Sequence, residues 1–193
     1  MKLSLATLVI AAASAAVSPS ASAVVLTFDD IGADTAVPAT YGGLDWSGSD
    51  WFVYGQVQEP FTAHSGSFRA VSGFGDADAA TAFRSTTPFT FQGAWFAGLQ
   101  GATVTFGLYL QGTLVATSAT LDPSATPTFL ASGFADQVDR VVVSSPGQGS
   151  YAMDDVTFNA TAPVPEPESY ALLMAGLGVM GWVARRRMNS SSR

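Results

Sequence analysis

The sequence predicts an all-β fold, an antiparallel β-sandwich of jelly-roll-like kind, set between two export segments. Three observations carry this. Strand-like runs of a few residues recur through 24–163, separated by Gly, Ser, Thr, Pro and Asp. The clearest run alternates apolar and polar residues with period two. No part of 24–163 carries a helical stripe, and no repeat of fixed period is visible. Many short strands joined by turns argue for a sandwich or jelly roll.

Taken in order, the predicted strands are 24–28, 51–58, 67–71, 80–84 and the short candidate 88–92. The strand 102–110 follows, with Val104, Phe106, Leu108 and Leu110 on one face and Thr103, Thr105 and Tyr109 on the other. Gln111-Gly112 reads as a two-residue hairpin turn into 113–121, with glycine supplying the positive φ. The last two strands are 138–144 and 151–158. The polar, glycine-containing stretch 72–78 reads as a loop within one domain.

Composition narrows the function. The whole chain of 193 residues is 48% hydrophobic and 12% charged, but the two ends inflate the first figure. Within 24–163, Arg69, Arg84 and Arg140 face twelve aspartates and Glu59, which leaves a net charge of −10. Such a surface repels phosphate backbones, so no nucleic-acid partner is expected. Cysteine is absent, which excludes disulfides, a thiol nucleophile and a Cys-ligated zinc. The single histidine, His64, excludes the two-His zinc motifs.

The ends read as addresses. Lys2 gives a small positive n-region, 3–17 is apolar, and Ala21-Ser22-Ala23 is a small-x-small cleavage site. Residues 1–23 are therefore expected to be a signal peptide cleaved after Ala23. At the other end, Pro163 to Glu168 forms a stiff linker. An uncharged run over 170–184 follows, spanning about 22 Å as a helix against a hydrocarbon core of ~30 Å. Arg185, Arg186 and Arg187 then favour the cytoplasmic side. The physics is that of a marginal transmembrane helix, held by the inner membrane transiently and then removed. Pro165-Glu166-Pro167, the glycine-containing apolar run and the arginine cluster together resemble a PEP-CTERM sorting signal over 164–193. The resemblance implies a Gram-negative host that makes exopolysaccharide or biofilm. It also implies exosortase, a membrane transpeptidase, as a partner that cuts at or near Pro165-Glu166-Pro167.

Two aspartate pairs are the candidate metal ligands. Asp29 and Asp30 end the first predicted strand, and Asp154 and Asp155 lie in the last. First and last strands of a sandwich often lie close together, and four converging carboxylates need a hard cation such as calcium. The alternative is that each pair is one inward and one outward residue at a strand end, solvated or capping a turn. The Asp-Asp-Val strand with the early Phe28-Asp29 element also resembles jelly-roll carbohydrate-binding modules, which implies a structural calcium tying the chain ends together. Asp76 and Asp78 lack a following Glu at the twelfth loop position and read as loop residues.

Aromatic residues are the candidate ligand contacts: Tyr41, Trp46, Trp51 and Tyr54, within a wider set that includes Phe52 and Trp95. Exposed, such rings stack on sugar faces; buried, they are core. The segment from Phe28 through Tyr41-Gly42-Gly43-Leu44 to Trp46 also resembles the opening of other exported PEP-CTERM proteins. His64 precedes a Ser-Gly-Ser turn and reads as an exposed loop residue, and no Gly-x-Ser-x-Gly elbow is present. The expected function is non-enzymatic: an exported protein at the cell surface or in the matrix that binds or organises extracellular polysaccharide. Its rivals are a structural matrix protein without specific ligand, and a polysaccharide hydrolase with two close aspartates in a cleft.

Overall fold

A computed structural model describes residues 22–72, 81–145, 150–160 and 173–181. The chain divides into a unit over Ala21–Ala162 and a second unit holding Met1–Ser20 with Pro163–Arg193. Every strand pair is antiparallel, in an all-β fold resembling a jelly roll. The strands are β1 (Ser22–Leu26), β2 (Thr35–Ala36), β3 (Thr40–Tyr41), β4 (Leu44–Asp45), β5 (Phe52–Tyr54) and β6 (Arg69–Val71). They continue with β7 (Thr81–Gly98), β8 (Thr105–Leu110), β9 (Thr113–Thr117), β10 (Thr128–Ala131), β11 (Val138–Ser144) and β12 (Tyr151–Ala160). The main path runs β2-β5-β6-β12-β7-β11-β8-β9, with β1 on β12, β10 and β4 on β7, and β3 on β4.

The predicted runs 80–84 and 88–92 are one strand, β7. Pro88 lies where the register slips: Val138 faces Phe89 but Arg140 faces Arg84. An irregularity tolerates the missing N–H of proline in a way that a regular ladder does not. The predicted hairpin forms with Gln111 at φ 51° and Gly112 at φ 78°, the two positive angles of a type I′ turn. In the predicted strand 102–110, Val104, Phe106 and Leu108 are fully buried. The strands β2, β3, β4 and β10 are two to four residues long and were not anticipated.

The main core lies on one face of these strands and is built from aromatic rings, among them Phe28, Trp46, Trp51, Phe83, Phe91, Phe96 and Phe106. The opposite face of β5, β6, β12 and β7 carries other residues. Phe52 faces Val71, Val71 faces Ala152, and Ala152 faces Ala97. In the next row Tyr54 faces Arg69, Asp154 faces Trp95, and Trp95 faces Phe129. Opposed residues share a face, so these two rows form an outer surface that is apolar at one end. Tyr54, Val71 and Ala152 make a small second cluster there, with Phe52 and Phe61 packed against it. Phe61 belongs to the segment 55–68 between β5 and β6, which lies over this face.

The second unit is described only at 173–181, a nine-residue helix with exposed side chains. At 1.5 Å per residue it is about 14 Å long. No helix among the described residues is long and apolar enough to cross a membrane. The expected transmembrane helix, with the inner membrane as a partner through it, is corrected by this finding. The signal-cleavage residue Ala21, the motif residues Pro165, Glu166, Pro167, Arg185, Arg186 and Arg187, and the loop aspartates Asp76 and Asp78 lie outside the described residues. Ala23 is described, and it pairs within β1 opposite Asn159.

Candidate functional site

A segment lying over an apolar sheet face must satisfy its own backbone groups, because neither sheet edge is available to it. Arg69 takes the carbonyls. It is 2% exposed, and its guanidinium sits 3.8 Å over the Tyr54 ring. It donates to the carbonyls of Phe61 at 2.5 Å, Gln56 at 2.5 Å, Ser67 at 3.1 Å and Tyr54 at 3.5 Å. Two aspartates take the amides, and a third holds side chains. Asp154 Oδ2 accepts from the N–H groups of His64 at 2.8 Å and Ser65 at 3.0 Å. Asp29 Oδ1 accepts from Ser67 at 2.8 Å and Phe68 at 3.0 Å. Asp155 holds side chains instead: Ser65 Oγ donates to it at 2.7 Å, and His64 Nδ1 lies 2.6 Å away.

The adjacent residues Asp154 and Asp155 reach the same loop because β12 is bulged there. Asp154 faces Trp95 and Thr157 faces Gly93, so three steps on β12 oppose two on β7. Asp155 is the extra residue, with φ 46°. A left-handed φ is costly for a non-glycine residue and clusters at sites where structure is held for a purpose. Burial pushes the Asp154 carboxyl up to about 7. The amides of Ser65, Asp155 and His64 pull it down, while the Asp155 charge pushes it further up.

These clamps fix His64 flat against Trp95, with ring centroids 3.5 Å apart and planes 12° from parallel. Phe129 lies on the neighbouring strand at 5.6 Å from Trp95 and is 39% exposed. His64, half-buried Trp95 and Phe129 thus form an aromatic shelf across the loop, β7 and β10. Beside it the segment 55–69 encloses a cleft of about 150 Å³ that includes Glu59, Thr62, Ser67 and Arg69 in its lining.

The residues predicted as ligand contacts fall elsewhere. Tyr41, Trp46, Trp51 and Tyr54 are 9%, 2%, 2% and 8% exposed. The first three lie in the main core, and Tyr54 lies beneath Arg69. None presents a face on which a sugar could stack, which corrects that expectation. Their burial follows from geometry: β3 and β4 form a Gly42-Gly43 hairpin that folds Tyr41 and Trp46 onto Phe28 at 5.5 and 6.0 Å. Tyr41 is held there by donating to Asp30 at 2.5 Å, and burial, followed by Asp30, raises its pKa. Of the wider aromatic set, Phe52 packs partly buried against the second cluster, and Trp95 is also a ring left partly open. Its signal was available in sequence: Ala94 and Phe96 are apolar core residues, so strand parity sends Trp95 outward.

Of the predicted metal ligands, Asp29 and Asp30 open a 3-10 turn (Asp29–Ile31) shortly after β1, which pairs with β12, the strand that carries Asp154 and Asp155. Their oxygens are engaged differently. Asp29 and Asp154 bind amides, Asp30 binds Tyr41, and Asp155 binds Ser65 and His64. Among the described residues no group of three or more His, Asp or Glu side chains is arranged to hold a metal. With their oxygens divided among these partners, the four carboxylates are not drawn into one cage of the 6–8 oxygens that calcium takes. Nor do Asp154 and Asp155 line the cleft, where a hydrolase would need them.

Comparison with known proteins adds the address. Residues 163–187 match the PEP-CTERM protein-sorting motif. No curated protein matched the sequence. Among solved structures, the chain is similar to a mutant of CBM29-2, a family 29 carbohydrate-binding module, at 15% identity and a TM-score of 0.44. That match covers 76% of this chain and 99% of the other. It is also similar to the C-terminal family 22 carbohydrate-binding module of Clostridium thermocellum Xyn10B. There the identity is 17% and the TM-score 0.38, over 67% of this chain and 99% of that one. The likeness is a distant one of all-β architecture and extends no further. The motif marks the chain as an exported substrate of the exosortase pathway, destined for the surface or the extracellular space.

Proposed function

We propose that this protein is a non-enzymatic binder of extracellular polysaccharide, displayed on or released from the surface of a Gram-negative, biofilm-forming cell. Residues 1–23 serve as the leader, 24–163 as the binding domain and 164–193 as the sorting signal cut by exosortase. One observation carries the binding part: the Trp95–Phe129 pair stands half open on two rigid strands, with His64 clamped against the Trp95 face. Phe129, 39% exposed, offers apolar area for the C–H face of a sugar, with Trp95 beneath His64 as its rigid support, and the ordering cost is met before the ligand arrives. The net charge of −10 over 24–163 favours neutral glycans over polyanions.

The test is retention of the full chain on the exopolysaccharide of the organism that makes it, compared with Trp95→Ala and Phe129→Ala. Saturable retention that falls at least tenfold in both variants, with unchanged melting, supports the reading. Retention indifferent to both substitutions refutes the shelf, and no retention at all leaves the passive matrix protein as the better account.

A further inference from the structure

We infer that the cleft between Gly55 and Arg69 is a second carbohydrate subsite, which takes one neutral sugar ring at a chain end or side branch. This rests on the polysaccharide reading and goes beyond the shelf. Size sets the first limit. At about 150 Å³ the cleft is well below the ~300–1,000 Å³ that holds a drug-sized ligand. It has room for one ring and none for a chain.

The lining sets the chemistry. Gln58, Glu59, Thr62 and Ser67 supply an amide, a carboxylate and two hydroxyls. A sugar hydroxyl donates and accepts at once, and this set answers both needs. Glu59 is acceptor-only; its Oε2 accepts from Thr62 Oγ1 at 3.4 Å, and its other oxygen suits a sugar hydroxyl. Ala63 lines the same cleft. Val57 lines it too and is 96% exposed, an aliphatic rim suited to C–H groups.

Charge sets the class. The one cation of the lining, Arg69, spends its hydrogen bonds on the carbonyls of Gln56, Phe61, Ser67 and Tyr54. It offers no free fork to the carboxylate of a uronic acid or to a phosphate. Glu59 is then the charge that meets a ligand, and it repels an anionic sugar. The site is also preorganised, because Ser67 is held by Asp29 and Ser65 by Asp154. Ala63, Gly66 and Ser67 line the cleft, and the same stretch lays His64 on Trp95, so one branched polymer could engage both places.

The experiment is an NMR titration of the full chain with methyl β-glucoside, methyl α-mannoside, methyl α-galactoside and glucuronate, followed through the amides of Gly55, Gly66 and Ser67. The expected result is a saturable shift at these amides with at least one neutral glycoside and none with glucuronate. Glu59→Gln and Thr62→Val, each checked for unchanged melting, should weaken it at least fivefold. The inference is overturned if no neutral glycoside shifts these amides, if glucuronate binds as tightly, or if both variants bind like the parent. Retention on polymer without any glycoside shift would sink the cleft and leave the shelf standing. A saturable glycoside shift without polymer retention would sink the polysaccharide reading and leave a monosaccharide site.

Discussion

Asp154 gives the sharpest test of how the loop over the sheet is held. Its carboxyl is pushed from an ordinary 3.8 to about 7, chiefly by burial. An acid with a raised folded pKa binds its proton more tightly in the folded state. The stability it contributes is fully present below about pH 4 and is lost as pH rises through 7. A difference of about three pH units corresponds to about 4 kcal/mol at most. The perturbation is Asp154→Asn, which removes the titration and keeps an oxygen for the His64 and Ser65 amides. Asparagine also places an N–H₂ where Oδ1 accepts from the Asp155 amide at 2.7 Å, so the variant carries a constant offset. The informative quantity is therefore the difference between parent and variant in urea unfolding at several pH values from 4 to 8. Carboxylates that do not interact with Asp154 titrate equally in both proteins and cancel. The parent should lose several kcal/mol relative to the variant between pH 4 and 7 and then level off. A difference that is flat with pH, or that favours the parent as pH rises, would refute the claim that burial dominates over the three amide donors.

Three further outcomes follow from the same clamps. Arg69→Met should destabilise by about 3 kcal/mol or more in urea melts, because several carbonyls lose a buried donor. Gly66→Ala should cost about 2–4 kcal/mol: an added Cβ would lie 2.0 Å from Asp29 Oδ2, at a residue whose φ is 53°. Excess EDTA should leave the melting temperature unchanged, since the candidate aspartates are spent on amides, tyrosine, serine and histidine; a fall of several degrees would bring calcium back.

Period-two patterning carried the fold. It located β8 to within a few residues, because a regular half-buried strand writes its parity into sequence. It failed where strands are two to four residues long, as in β2, β3, β4 and β10, since so few residues carry no period. The site was less legible for a related reason. Asp154 and Asp155 look like alternating neighbours on a strand, and only the bulge turns both onto one loop. That bulge depends on Asp155 taking a left-handed φ, which no glycine or asparagine announces. The aromatics of 41–54 were misplaced because a ring suited to a sugar face is equally suited to a core, and composition does not separate the two fates. Trp95 could have been separated by parity against Ala94 and Phe96.

The loop clamps also give the acidic residues gathered at this site a structural role. A polar crossing segment with a Ser-Gly-Ser turn has little apolar area to bury, so packing alone holds it weakly. Phe61 is its main apolar anchor on the sheet face. Carboxyl oxygens that each accept two amides supply the missing order. The cost is the desolvation that lifts Asp154, and the return is geometric. His64 is pinned between Asp155 and the Trp95 face, and the cleft wall from Ala63 to Ser67 keeps one shape. If the clamp exists for that purpose, loosening it at Asp29 should degrade ligand retention before it unfolds the sheet. The sheet itself is held by the separate aromatic core on its other face. Equal losses of retention and of global stability in Asp29→Ala would instead make the clamp a part of the fold alone.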